Sequence, residues 1–479
     1  MLRVENLSYR HAHSPDHSLR DLNFELPTGR ALLVAGHSGS GKSTLLAILS
    51  GLVPHYYKGA LCGRISLDGE EPANSTLAEW GFRAALMTQN PETQFLGTTV
   101  EEEIRLTLRC RRIPESRADL LIAESLERFG LADLKSQSIF HLSEGQKQRV
   151  VLAALTALKP RLLLLDEPGA NLDPQAIAEL ARSLAELKSE GLSLVIADHR
   201  LSWLNGLADQ VLVLDQGSTV LQGDWALLHD DRRRKAMNLR AIQTPSSPPE
   251  APAPTTTPEC GVVIEELRFA WPGGPELFGG FSAHLRPGRV AVLTGVSGRG
   301  KTTLAKLLCG LEKPDGGHIR FINDNGEASP PQWGQAVFQN TDHQLCMPTV
   351  RREMELALSL GGRERQVEAA DLLAEFGLAE LDQRHPQSLS GGEKQRLTVA
   401  AGLAGSSGLL VLDEPSSGLD GRNLELMAGQ IRNAARKGLA ILVITHDLEL
   451  AHLCADDYLK LDSQNTPILT TASEERIYL

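Results

Sequence analysis

The stretch ALLVAGHSGSGKSTLLAILSGL, residues 31–52, runs from an apolar segment through a glycine-rich turn into a helical pattern. Its middle, Gly36 to Ser43, has the spacing G-x-x-x-x-G-K-[ST]. VAVLTGVSGRGKTTLAKLLCGL, residues 290–311, has the same order and the same spacing from Gly295 to Thr302. Glycines at these places let backbone N–H groups turn inward around phosphate oxygens, and the following helix N-terminus adds a favourable partial charge. Gly36, Ser38, Gly39, Gly41 and Thr44 are the expected cradle of the first copy. Gly295, Ser297, Gly298, Gly300 and Thr303 are that of the second. Lys42 and Lys301 are placed to meet β- and γ-phosphates, and Ser43 and Thr302 to offer a hydroxyl to Mg2+.

The rest of the chain repeats around these loops. LSYRH (7–11) matches LRFAW (267–271), and QNPETQ (89–94) matches QNTDHQ (339–344). LSEGQKQRV (142–150) matches LSGGEKQRL (389–397), RLLLLDEP (161–168) matches GLLVLDEP (408–415), and NLD (171–173) matches GLD (418–420). IADH (196–199) corresponds loosely to ITHD (444–447). Between the copies, residues 242–259 hold six prolines and almost no large apolar side chain, which reads as a semi-extended linker. The expected organisation is one domain over 1–241, that linker, and a second domain over 260–479. The first copy carries an extra loop, VPHYYKGALCG (53–63).

Four apolar residues followed by Asp-Glu read as a buried parallel strand that delivers two carboxylates at its C-terminal edge. Asp166 and Asp413 are then candidates to hold the metal, and Glu167 and Glu414 to polarise the attacking water. His199 and His446 each end a further β-branched apolar run. Such a histidine can be structural; its recurrence in the series favours a polar contact to the γ-phosphate and the water. Gln89 and Gln339 carry the same two readings, and their place in the series makes them candidates for the metal and the water.

Composition narrows the class. The chain has 479 residues, 42% hydrophobic and 23% charged, with a formal net charge of −12. These values describe a globular protein of two domains and argue against a chain whose main work is gripping nucleic acid. No apolar run approaches the ~18 residues of a membrane span. The start, MLRVENLSYR, lacks the apolar region of a secretory signal, so the expectation is a chain that neither crosses a membrane nor leaves the cytoplasm on its own. Six cysteines lie scattered without a C-x-x-C pair, which reads as reduced, inert thiols. DRRRK (231–235) reads as a solvated helix end.

In this order, twice, these motifs resemble the ATP-binding cassette (ABC) family. The resemblance implies an α/β fold: two tandem P-loop NTPase nucleotide-binding domains, each with a RecA-like core, an antiparallel β subdomain and a helical signature subdomain. It also implies ATP and Mg2+ as cofactors and hydrolysis of ATP. In that family two cassettes dock head to tail, each ATP lying between the phosphate loop of one and the signature of the other, which gives the duplication a reason. One site would combine Lys42, Ser43, Gln89, Asp166, Glu167 and His199 with Ser390 and Gly392. The other would combine Lys301, Thr302, Gln339, Asp413, Glu414 and His446 with Ser143 and Gly145. The halves would pair within one chain or across two.

Asp173 and Asp420 match the loop that couples the sites. Trp271 fits the aromatic residue that stacks on adenine, where the first copy has His11, and Glu144 stands where the signature more often has Gly. QNPETQFLGTTVEEEI and QNTDHQLCMPTVRREM resemble the ATPases of energy-coupling-factor importers of vitamins or transition metals. These work with a transmembrane coupling subunit and a substrate-binding membrane subunit, implying a peripheral place on the cytoplasmic membrane face. The segments around Phe95 and Leu345 are apolar enough to receive a partner's helix. Alternatives are the tandem ATPase of a sugar or peptide importer and a ribosome-associated ABC ATPase. The intact second site, the short Pro-rich linker and the acidic charge weigh against them.

Overall fold

The computed structural model describes every residue except 13, 171, 244–259, 297, 324–327, 330–333, 339–340, 342–343, 362–367, 407, 462–466 and 470–479. The chain divides into two compact units, Met1–Gln243 and Thr244–Leu479. Most of the stretch expected as a linker, together with Ser297 and Gln339, lies outside the described residues.

Unit 1 begins with β1 (Leu2–His11), β2 (Leu19–Leu26), β3 (Ala31–Ala35), α1 (Lys42–Leu49), α2 (Leu52–His55), β4 (Gly59–Leu67), α3 (Leu77–Trp80) and β5 (Ala84–Met87). It continues through α4 (Val100–Cys110), α5 (Glu115–Arg128), α6 (Glu144–Thr156), β6 (Leu162–Asp166), α7 (Pro174–Ser189), β7 (Ser193–Ala197), β8 (Gln210–Asp215), β9 (Ser218–Asp224) and α8 (Asp231–Ala236). Two sheets result. One is antiparallel, in the order β2-β1-β4; the other is β5-β6-β7-β3-β8-β9, parallel except for the β8–β9 hairpin.

The sequence explains this split. β3 and β7 are buried along their whole length, as expected of central parallel strands covered on both faces. Because side chains alternate across a strand, Leu33 joins one core with Ile104 of α4, Val150 of α6 and Leu184 of α7. Leu32 and Val34 join the other, with Leu45 and Leu46 of α1 and Leu2 and Leu22 of the antiparallel sheet. A single strand therefore staples the helical layer to the β subdomain, and its C-terminal edge opens onto the phosphate loop. The β8–β9 turn uses Gln216 and Gly217, both with positive φ (46° and 80°), as a two-residue hairpin of this hand requires.

Unit 2 repeats the plan with β10 (Gly261–Ala270), β11 (Glu276–Leu285), β12 (Val290–Gly295), α9 (Lys301–Leu308), β13 (Gly316–Ile322), β14 (Ala328–Ser329), β15 (Gln335–Val337), α10 (Val350–Leu360) and α11 (Ala369–Glu375). α12 (Gly391–Gly405), β16 (Leu409–Asp413), α13 (Gly421–Arg436), β17 (Ala440–Ile444), α14 (Leu448–Cys454), β18 (Asp457–Leu461) and β19 (Pro467–Leu469) follow. Its sheets are β11-β10-β13-β14 and β15-β16-β17-β12-β18-β19. Val292 and Leu293 of β12 divide between two cores as Leu33 and Leu32 do. The edge pair β18–β19 forms without the Gly turn of unit 1, and its connection lies outside the described residues. Among the described residues no helix is long and apolar enough to cross a membrane.

Candidate active sites

β3 hands the chain to the phosphate loop at Gly36 (φ 145°), and Gly39 (79°) and Gly41 (105°) carry it round to α1. A Cβ at Gly36 would stand 2.2 Å from the Leu214 carbonyl oxygen, whereas one at Gly39 would meet nothing within 4 Å. The base of the loop is thus packed and its rim open. Lys42 is buried and folds back, its Nζ donating to the carbonyls of Gly36 (3.0 Å) and His37 (2.9 Å). Lys301 does the same with Gly295 (2.7 Å) and Val296 (3.1 Å). Ser38 and Thr44 are half-buried, Thr303 is buried, and Ser43 and Thr302 face solvent at the first turn of their helices. Gly298 (φ 81°) and Gly300 (91°) repeat the backbone of the first loop.

The strand ends meet this loop. Ser43 bonds the carboxylate of Asp166, which burial pushes up to about 6 against the pull of that bond. Thr302 Oγ1 donates to Asp413 Oδ2 at 2.7 Å, and burial likewise raises the Asp413 pKa. Glu167 follows with φ 48° and Glu414 with φ 50°, a left-handed backbone in a non-glycine residue at both sites. Gln89 Nε2 donates to Glu167 Oε2 at 2.8 Å, and His199 Nε2 lies 3.4 Å from Oε1. Burial works to raise the Glu167 pKa, yet the His199, Lys42 and Gln89 contacts outweigh it and hold the carboxyl below its ordinary value. Glu414 accepts from Thr445 Oγ1 and from the His446 backbone N–H, both at 3.0 Å, while His446 Nε2 stands 3.9 Å away.

The structure brings Lys42, Ser43, Gln89, Asp166, Glu167 and His199 together around one loop. The other named residues sit at helix starts. Ser143 caps α6 in a reciprocal bond pair with Gln146, and Ser390 caps α12 with Glu393. Gly145 lies in the first turn of α6, where a Cβ would stand 3.1 Å from Ala176 Cβ, and Gly392 is buried in the first turn of α12. Asp173 caps α7 through Ala176 N–H (2.8 Å), and Asp420 caps α13 through Asn423 N–H (2.8 Å). Among the described residues, no hydrogen bond of Ser143 or Ser390 reaches the phosphate loop of its own unit. Trp271 follows β10 edge-on to Phe269, with Lys306 Nζ 5.4 Å from its ring centre; His11 stands edge-on to Tyr9 in the matching place.

Several residues given no role from sequence support these sites. Buried Glu103 accepts the N–H groups of Leu96 and Gly97, both at 2.7 Å on Oε2, and Glu353 takes those of Cys346 (3.0 Å) and Met347 (2.8 Å). Gln94 bonds both Thr88 N–H and Leu86 carbonyl, anchoring the loop to β5. Lys147 joins Glu144 at the start of α6 (3.0 Å) to Glu92 on the glutamine loop, which gives the unusual signature residue a partner. Leu345 differs from expectation: it is 7% exposed and packs in the core, as Phe95 partly does, while Leu96 is 67% exposed. The acid in TV-x-x-E at both places was the available signal for the Glu103 and Glu353 clamps.

The ABC transporter family profile matches residues 19–170 and 278–417, more than half of the chain. The chain belongs to the ABC transporter family. An ABC transporter ATP-binding protein, provisionally so named, from Treponema denticola is 31% identical, covering 94% of this chain and 93% of the relative. A Bacillus subtilis protein provisionally named HMP/thiamine import ATP-binding protein YkoD is 33% identical over 96% of this chain and 90% of its own length. The solved structure of the RNase-L Inhibitor covers 97% of this chain and 91% of its own at a TM-score of 0.67 and 22% identity, a likeness of fold. As a tandem ABC ATPase of a transporter, the chain binds and hydrolyses ATP.

The open rim at Gly39, the inward-folded Lys42 and the Ser43–Asp166 pair fit a nucleotide triphosphate with a divalent cation. Among the described residues no group of three or more His, Cys, Asp or Glu could hold a metal ion by itself. A hard cation that shares its ligands with phosphate oxygens needs only one or two protein oxygens, which this arrangement supplies.

Proposed function

We propose that this ABC ATPase energises an importer of the energy-coupling-factor type, bound peripherally at the cytoplasmic face of the membrane. Its partners would be a transmembrane coupling subunit and a small substrate-binding membrane subunit, and its cargo a vitamin or transition metal. The B. subtilis relative's name, which speaks of HMP/thiamine import, supports that class of cargo. The observation that carries the reading is the loop after Gln89: exposed Leu96 is presented to solvent while Glu103 fixes its backbone from beneath. An exposed leucine on a backbone held from beneath supports reading this loop as the place where a partner's helix docks.

The two ATP sites are read as composite, phosphate loop facing signature head to tail. Ser43 and Asp166, with Gln89, and Thr302 and Asp413, with Gln339, would hold Mg2+, which supplies charge neutralisation at the phosphate oxygens. Lys42 and Lys301 bind the phosphates, and Ser143, Gly145, Ser390 and Gly392 offer helix N-termini to the γ-phosphate of the opposite site. Glu167 and Glu414 accept the proton of the attacking water at a carboxylate oxygen; Gln89 and His199 orient the first of them. Both glutamates and both histidines are present, so both sites are read as hydrolysing.

Leu96→Asp together with Cys346→Asp tests the importer reading. Both residues are exposed, so nucleotide affinity should stay unchanged while recovery of the chain in the membrane fraction with hydrophobic partners falls. Sedimentation with ribosomes, insensitive to these changes, would overturn the reading.

A further inference from the structure

The two histidines end equivalent strands in different company. Unit 1 reads Asp198-His199-Arg200 after β7, and unit 2 reads Thr445-His446-Asp447 after β17. Asp198 is 2% exposed; its Oδ1 accepts the Arg200 backbone N–H at 2.8 Å and its Oδ2 the indole N–H of Trp203 at 3.1 Å. The Arg200 guanidinium turns to the loop after Glu167 and donates to the Gly169 carbonyl at 2.9 Å. Gly169 is what lets this arrangement close. A Cβ there would stand 2.9 Å from Trp203 Nε1 and 3.1 Å from Asp198 Oδ2.

Unit 2 keeps the turn's backbone contact, Asp447 N–H bonding Thr445 Oγ1 at 3.0 Å. It cannot repeat the indole and guanidinium contacts, because Leu450 and Asp447 stand where Trp203 and Arg200 do and Ser416 where Gly169 does. There the Thr445 hydroxyl donates to Glu414 Oε2 at 3.0 Å, and Asp447 caps α14 through the N–H groups of Glu449 and Leu450. Four side-chain identities differ together, each consistent with the geometry of its own unit.

We propose that Asp198, Arg200 and Trp203 are positioning residues that clamp the histidine turn to the loop between Glu167 and Asp173, and that Thr445 replaces this clamp in unit 2 by orienting Glu414 directly. The two ATP centres are therefore built unequal. In unit 1, the histidine turn is tied to the loop at Gly169, and Glu167 takes its orientation from Gln89 and His199. In unit 2, the histidine turn holds the carboxylate itself, through the Thr445 hydroxyl and the His446 backbone N–H. The proposal rests on Glu167 and Glu414 being the hydrolytic carboxylates.

The test uses the full chain carrying Glu414→Gln, which leaves turnover to Glu167. Asp198→Ala in that background should lower kcat about tenfold, equivalent to 1.4 kcal/mol of barrier, while KM for ATP stays unchanged because Lys42 and Ser43 are untouched. Gly169→Ser, which installs the residue of unit 2, should act in the same direction. Asp198→Thr with Arg200→Asp writes the turn of unit 2 into unit 1 and should recover most of the loss, a rescue that a merely space-filling role does not predict. Turnover of Asp198→Ala within about twofold of its parent overturns the proposal, as does a double variant no better than Asp198→Ala. If Glu167→Gln in this background still turns over, the glutamate assignment fails; amide exchange at residues 169–173 then decides the clamp alone. Faster exchange in Asp198→Ala at an unchanged melting temperature supports it, and unchanged exchange overturns it.

Discussion

Replacing Glu103 separates the charge of its carboxylate from its shape. Leu96 N–H and Gly97 N–H both bond Oε2, each at 2.7 Å, and the residue is 4% exposed. A glutamine can place its amide oxygen where Oε2 stands, so Glu103→Gln keeps an acceptor for both donors and loses only charge assistance. Charge-assisted bonds are about twice as strong as neutral ones, worth ~1 kcal/mol each, so this change should cost about 1–2 kcal/mol. Glu103→Met leaves both donors without an acceptor at roughly 1–3 kcal/mol each. The Leu96 amide can recover water at its exposed position, which trims the total to about 2–4 kcal/mol. For a unit of this size each kcal/mol moves the midpoint by roughly 2–4 °C. Thermal scans of the full chain should then show the unit 1 transition falling by about 2–8 °C for Gln and about 4–16 °C for Met, with Glu353→Met marking the unit 2 transition. A Met variant as stable as the Gln variant would refute the idea that this carboxylate holds the loop by hydrogen bonding.

Other outcomes follow from the same geometry. Glu167→Gln with Glu414→Gln should keep ATP affinity and remove steady-state turnover, since only the proton-accepting role is lost; wild-type turnover would sink the assignment. In that background, Lys42→Ala with Ser390→Arg should trap about one ATP per chain and Lys42→Ala with Ser143→Arg close to none, if the half-sites are crossed. Equal trapping, counted at saturating nucleotide, rejects the crossing. Asp209, against whose burial Lys188, the Ala31 amide and Arg30 work, titrates below its ordinary value. Its stabilisation is present above the unfolded carboxylate pKa and is lost as pH falls through the folded one. Asp209→Asn should thus cost about 1–3 kcal/mol in urea melts at pH 7, with the gap closing below about pH 4.

The phosphate loops, Asp-Glu strand ends and signature starts were legible in the sequence because their chemistry admits few residue types. Gly36 cannot be anything larger beneath Leu214, and the compact Lys42 ammonium, held by two loop carbonyls, is not matched by the planar fork of an arginine. The alternation of β3 between two cores was equally readable, since it follows from strand period alone. What stayed hidden acts through main chain. Gln94, Glu103 and Arg200 bond backbone groups, which carry no side-chain identity in the sequence to match against. Leu345 and Leu96 show the complementary difficulty. Both belong to apolar segments beside a motif, and only the turn of the loop decides which is core and which faces outward. The Asp198 clamp was half legible: setting Gly169 beside Ser416 and Asp198 beside Thr445 exposes the exchange, but not the contact it makes.

Glu167 and Glu414 each hold a backbone conformation, φ 48° and 50°, that a glutamate adopts at a cost of about 1 kcal/mol. Glycine or asparagine would sit there more comfortably. If these are the hydrolytic carboxylates, as proposed, stability and turnover pull the two positions in opposite directions, and the pull acts on each copy separately after the duplication. A copy released from the need to hydrolyse would shed that backbone strain by surrendering this side chain. The glutamates are thus letters at which a lapse of selection on either half would be written, and both halves still carry them.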